Sequence, residues 1–251
     1  MNRLKFRHYF FLFTIGILFL SSSPVSGQRF YSKLKEYCAN LPNEFNKIPG
    51  ERKQILEEIG DYIYQTISTK KSAQLLFICT QNSRRSQFAQ VWAQTAAYYF
   101  RLENIKTFSG GYMESAINYR ILEALRKSGF SVTAAEGYSQ NPVYLLSLGQ
   151  SYPDIFIFSK KYDFWQNPNE KYATILCDKD LIENKLTPAG SENIIALPYE
   201  DIHIYDSSTG NILKNDEICL QVAREMFFMM DYVSKTKKLN KKRKKQKKSN
   251  K

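Results

Sequence analysis

Residues 75–92 read LLFICTQNSRRSQFAQVW, and the order of residue types in this stretch decides the fold. Leu75 to Cys79 is an apolar run of strand length, and the residues from Ser86 onward suit a helix. Between them lie Thr80, Gln81, Asn82, Ser83, Arg84 and Arg85. An apolar run without alternation fits a strand buried on both faces, as in parallel sheets. Ligands of such sheets sit outside the carboxyl ends of the strands. Function is therefore expected at the turn after Cys79.

Outward from this stretch the alternation continues. IKTFSGG (105–111) is a strand ending in paired glycines, and INYRILEALRKSGF (117–130) is a helix closed by Gly129. DIFIFS (154–159), ATILC (173–177) and IIALP (194–198) are strands of the buried type, and NDEICLQVAREMFFMMDYV (215–233) is a closing amphipathic helix. The pattern predicts an α/β fold, a mostly parallel central sheet with helices on both faces. Upstream, Phe30 to Cys38 and then ERKQILEEIGDYIYQTI (51–67) predict two helical pieces. In the second, Ile55, Ile59, Tyr62 and Ile63 recur at helical spacing, and Pro49 suits the first turn. This gives an amino-terminal helical extension (28–72) packed on a main domain (73–233).

The two ends differ in character. Residues 1–27 have Arg3, Lys5 and Arg7, then the apolar run Tyr9 to Leu20, then a break at Ser21–Pro24 and small residues before Gln28. That is the pattern of a cleaved export signal, with a run shorter than the roughly 20 residues that span a bilayer. Export to a periplasm or the outside is expected, with an uncleaved amino-terminal membrane anchor as the alternative. Residues 234–251 form a basic tail that shows no apolar periodicity and is expected to be disordered. It carries 11 Lys or Arg and no acid, which suits a solubilising appendage, with contact with anionic surfaces as the functional alternative.

Charge and composition exclude several classes. The formal net charge is +12, but residues 28–234 hold 22 basic against 24 acidic residues, so the folded part is not a basic nucleic-acid binder, and no specific nucleic acid is expected. A hydrophobic share of 43% argues for a packed core. Four cysteines are too few for a disulfide scaffold. His203 is the only histidine outside residues 1–27, and no H-E-x-x-H or C-x2-C pair occurs, so no metal and no cofactor is expected.

The turn itself is a cysteine, five residues, an arginine and a serine: Cys79, Thr80–Arg84, Arg85, Ser86. A loop of that length curls around a tetrahedral oxyanion, with backbone N–H groups and a helix start directed at it. Arg85 grips two phosphate oxygens with its planar fork. The same positive surroundings favour a Cys79 thiolate, which Ser86 can hydrogen-bond. Asn82 suits a left-handed backbone position. Thr80, Gln81, Asn82, Ser83, Arg84 and Ser86 are thus the expected substrate-binding residues. The bland alternative is a structural cysteine beside two solvated arginines, but arginines at a helix start oppose its dipole unless an anion is present.

LLFICTQNSRRSQFAQVWA resembles the low-molecular-weight protein tyrosine phosphatase superfamily, in a branch close to the thioredoxin-coupled arsenate reductases. The resemblance continues through FSGG (108–111), ALRKSGF (124–130), FSKKYD (158–163), ATILCDKD (173–180) and IALPYEDI (195–202), and covers roughly residues 73–232. Cys79, Asn82, Arg85 and Ser86 match the family's loop. The resemblance implies a Cys79 nucleophile, a transition-state role for Arg85, and Asp201 of LPYED as general acid, with Asp206 in reserve. The substrate so implied is a phosphorylated protein or a small aryl phosphate.

This chain departs from the family pattern at several points. Ile202 replaces the proline after the acid, Arg84 replaces a second loop cysteine, and Gln81 stands where glycine is common. The reductase branch also implies a cysteine shuttle. Cys177 matches its first member as a possible redox residue, but Asn184 stands at the place of the second, and Cys219 and Cys38 lie elsewhere. The alternatives to a phosphatase are accordingly an arsenate-reductase-like thiol oxidoreductase and a non-catalytic oxyanion-binding module. Tyr112 is read either as a wall of the site mouth or as an exposed loop residue, and Trp92 and Trp165 as packing residues.

Overall fold

The structure is a computed structural model and describes residues 29–135, 140–201 and 211–249. The expected export signal (1–27) and Ile202, His203 and Asp206 lie outside the described residues.

The chain opens with β1 (Arg29–Phe30), α1 (Ser32–Asn40), a 3-10 segment (Leu41–Lys47) and α2 (Gly50–Ser68). β2 (Ala73–Cys79), α3 (Arg85–Tyr99), β3 (Ile105–Gly111) and α4 (Tyr119–Ser128) follow. Next come the short strands β4 (Ser131–Ala134), β5 (Tyr144–Ser147), β6 (Gly149–Gln150) and β7 (Ile155–Ile157). β8 (Tyr172–Leu176), α5 (Lys179–Glu183), β9 (Ser191–Ala196) and α6 (Asn211–Ser249) complete the described chain.

The central sheet is parallel, in the order β3-β2-β8-β9. β2 lies inside it, which is why its sequence is apolar on both faces. Leu75, Phe77 and Cys79 face a large core shared with α1, α2, α3, α4 and α6, whereas Leu76 and Ile78 face a smaller one with Leu181 of α5 and Tyr172. Helices flank the sheet unequally, since α5 is short and loop residues Tyr162 and Leu186 complete its side. α1 and α2 share the main core, so the helical extension and the domain are one packed body.

Trp92 sits at the centre of that core. It is fully buried, stacked on Tyr37 at 5.3 Å between ring centroids, edge-on to Phe130, and its Nε1–H donates to Cys219 Sγ at 3.3 Å. α4 ends as expected: Gly129 has φ 104°, and an added Cβ there would meet the main chain of Leu34 at 2.3 Å.

Three expectations need correction. DIFIFS does not join the parallel sheet. β7 pairs antiparallel with β5 in the three-stranded sheet β4-β5-β7, and its Phe156 is exposed between buried Ile155 and Ile157, the alternation of a half-covered strand. Trp165 is not a packing residue but 79% exposed. The segment from 234 is not disordered where it is described: α6 runs on to Ser249 and crosses the expected domain boundary. Its buried face, from Ile218 to Val233, nucleates the helix; lysine and arginine propagate it well, and Asn240 Nδ2 donates to the Tyr64 hydroxyl at 2.8 Å. Among the described residues no helix is long and apolar enough to cross a membrane.

Candidate active site

Cys79 is the last residue of β2 and Arg85 the first of α3, so sheet and helix each fix one end of the loop between them. The reversal occurs at Asn82, whose φ is 50°. β3 supports the loop from beside it. Tyr112 N–H donates to the Cys79 carbonyl at 3.1 Å and Met113 N–H to the Thr80 carbonyl at 2.9 Å. Gly111 allows the loop to approach: a Cβ there would lie 2.9 Å from Asn82 N and 2.2 Å from Met113 O.

A chain of hydrogen bonds orients the sulfur. The Lys160 N–H donates to Asn82 Oδ1 at 3.0 Å, which leaves the Asn82 amide nitrogen toward Ser86, where Nδ2 donates to Oγ at 2.8 Å. The Ser86 hydroxyl hydrogen is then free for Cys79 Sγ, 3.0 Å away. Gln87 Nε2 ties the Asn82 carbonyl to that of Phe158, and the Ser159 hydroxyl donates to the Gln81 carbonyl at 2.8 Å. The segment Phe158–Lys160 therefore braces the loop. Among the described residues, the main-chain N–H groups of Asn82, Ser83 and Arg85 donate to no protein group.

A cavity of about 130 Å³ opens at this point, lined by Cys79, Thr80, Gln81, Ser83, Arg84, Arg85, Asp180 and Asp201. The structure thus brings together Cys79, Arg85 and Asp201, which are far apart in sequence. Arg85 Nη2 lies 3.1 Å from Asp201 Oδ2, and the Asp201 side chain is 46% exposed. Asn82 and Ser86 lie beneath the loop and are fully buried, so they support it rather than line the cavity. Arg84 is buried at the cavity, not solvated. Tyr112 is exposed and is not among the lining residues.

Sequence reading missed Asp178. Buried at the carboxyl end of β8, it accepts from Arg85 Nη2 at 2.6 Å, from the Thr80 N–H at 3.1 Å and from the Thr80 hydroxyl. Its other oxygen caps α5 at Asp180 N–H. Its position at the end of the strand beside β2, directly after Cys177, was the available signal. Cys177 itself is fully buried, and burial pushes its thiol well above the ordinary range. All four cysteines are free thiols. Among the described residues no cluster of three histidine, cysteine, aspartate or glutamate side chains could hold a metal.

The fold and the loop define a class: an α/β domain with an oxyanion-sized cavity at the carboxyl end of a central parallel strand. No family model and no curated protein matches the chain. Solved structures similar to it include a low-molecular-weight phosphotyrosine phosphatase from Vibrio cholerae, 14% identical, covering 64% of this chain and 95% of that one, with a TM-score of 0.43. A protein tyrosine phosphatase from Entamoeba histolytica is 14% identical, covering 66% and 99%, with a TM-score of 0.42. A low-molecular-weight protein tyrosine phosphatase from Bacillus subtilis is 12% identical, covering 64% and 97%, with a TM-score of 0.44.

Proposed function

We propose that this chain is a phosphatase that hydrolyses phosphate monoesters, phosphotyrosine or another aryl phosphate, through a phosphocysteine. The observation that carries the reading is that Cys79, Arg85 and Asp201 line one cavity. The Cys79 thiolate attacks phosphorus in line while Asp201 protonates the leaving oxygen. Arg85 and the unengaged loop amides take up charge on the equatorial oxygens. Asp201, now a carboxylate, then removes a proton from the water that cleaves the sulfur–phosphorus bond, and inorganic phosphate leaves. Asp178 holds Arg85 and Thr80 in place and touches no reacting atom.

The reductase alternative needs a second thiol able to attack the first. Cys177 is fully buried and held protonated by that burial, which supports hydrolysis over thiol shuttling. The test is p-nitrophenyl phosphate turnover by the full chain and by Cys79→Ser. Turnover lost in the variant is the expected result, and equal turnover in both would overturn the reading. Saturable phosphate binding without turnover at any pH would assign the non-catalytic module instead, and arsenate consumption dependent on Cys177 the reductase.

We also propose export through residues 1–27 and contact of the basic segment 235–251 with anionic surfaces. A mature amino terminus at Gln28 supports the first, and salt-sensitive binding to anionic vesicles that is lost on removing the segment supports the second.

A further inference from the structure

A second cavity, of about 240 Å³, shares no residue with the first. Gln90, Thr107, Phe108, Phe158, Lys160 and Asn167 are among its lining residues.

Lys160 is 5% exposed, and among the described residues no carboxylate pairs with it. Its ammonium has only the Ser109 hydroxyl at 3.4 Å and the face of Phe158 at 4.7 Å. A buried charge so poorly matched is costly, and burial lowers its pKa to about 8. Asn167 adds a second unmet group. Its Nδ2 donates to the carbonyls of Ser109, Lys161 and Tyr162, which fixes the amide and leaves Oδ1 buried without a partner. Gln90 Oε1 is likewise buried and unpartnered. Both residues are more than nine-tenths buried, at 8% and 7% exposure. Such groups in a folded protein call for a partner.

We propose that this cavity binds a small aromatic monocarboxylate. The carboxylate pairs with Lys160. Phe108 and Phe158 supply aromatic walls for a flat body. The volume falls below the roughly 300 Å³ at which drug-sized pockets begin, which limits the occupant to about the size of a hydroxybenzoate. Exposed Asp154, also at the cavity, disfavours a second anionic group. Lys160 also braces the loop after Cys79 through its main-chain N–H, which donates to Asn82 Oδ1. The site goes beyond the phosphatase reading and does not rest on it.

The test is calorimetric titration of the full chain with 4-hydroxybenzoate, with neutral 4-hydroxybenzamide as control. Saturable one-to-one binding is expected, weakened at least tenfold by Lys160→Met and absent for the benzamide. No saturable binding to the wild type, equal affinity in the variant, or displacement by inorganic phosphate would each overturn the proposal. Should Lys160→Met fail to fold, Lys160→Gln takes its place, and an affinity unchanged by that substitution overturns it equally.

Discussion

Arg85 Nη2 lies 2.6 Å from Asp178 Oδ2 in a contact buried on both sides, with side-chain exposures of 10% and 4%. The same nitrogen is 3.1 Å from Asp201 Oδ2, whose side chain is half exposed. One carboxylate is therefore enclosed with the guanidinium, while the other meets it from the open side of the cavity.

Removing the enclosed partner leaves a buried charge uncompensated. Asp178→Ala is expected to cost about 3 kcal/mol of stability, measured by urea denaturation. Asp178→Asn keeps one acceptor oxygen, for Thr80 or for Asp180 but not both, and loses the charge; it is expected to recover part of the stability while turnover stays down about a hundredfold through misplaced Arg85. Full activity in Asp178→Asn would show that Arg85 is positioned without that carboxylate.

Gly111→Ala places a methyl group against Asn82 N and Met113 O. Both neighbours are main chain and cannot swing aside, so the phosphate loop must shift. A loss of about 1–3 kcal/mol is expected, with loss of turnover exceeding the loss of folded protein. Circular dichroism and p-nitrophenyl phosphate hydrolysis, compared at a temperature where the variant is folded, separate the two.

Ser86→Ala removes the hydroxyl 3.0 Å from the Cys79 sulfur. Alkylation of Cys79 by iodoacetamide at neutral pH is expected to slow severalfold, since the thiolate loses a donor. In the wild type inorganic phosphate is expected to protect Cys79, while Cys177, being fully buried, stays unlabelled until the protein unfolds. Mass spectrometry of the labelled peptides reads both; alkylation of Cys79 indifferent to phosphate would contradict the anion cavity.

Alkaline pH should destabilise the fold. Burial pushes the Cys219 thiol from 9.0 up to about 12, and burial first, then Glu192, pushes the Tyr62 phenol from 10.0 up to about 12. Above about pH 9 the unfolded chain releases protons that the native state retains, so stability is full below that value and falls as pH rises toward 12. The urea midpoint is expected to drop across this window, less steeply in Cys219→Ala. A flat profile would show that these groups are not buried.

In the last turns of α6, Lys238 and Lys242, and Lys241 and Lys245, are like charges at i,i+4 spacing. Each such pair opposes the helix by about 0.2–0.5 kcal/mol, and salt screens it. Helical ellipticity is expected to rise with salt in the full chain and not in a chain ending at Val233.

The loop from Cys79 to Ser86 was legible because its chemistry is local. Cys79, Asn82, Arg85 and Ser86 fall within eight residues, and an apolar strand before them with a helix after them fixes their geometry whatever else the chain does. The strands at 105–111 and 173–177 and the stop at Gly129 were legible for the same reason, since periodicity and a left-handed position are properties of neighbouring residues. DIFIFS misled because Phe156 counts as apolar in sequence, and only its place on a half-covered sheet turns it outward. Trp165 misled likewise, and the tail did because its helix is nucleated by core contacts far upstream.

What the sequence determined by itself was most of the alternation of strands and helices and the place of one strand–loop–helix turn. Tertiary structure alone decided which carboxylate holds Arg85, since Asp178 is 93 positions away and reaches it only because β8 lies beside β2. It alone also buried Lys160 without a counter-charge among the described residues, because burial and pairing depend on strands and loops brought together from across the chain.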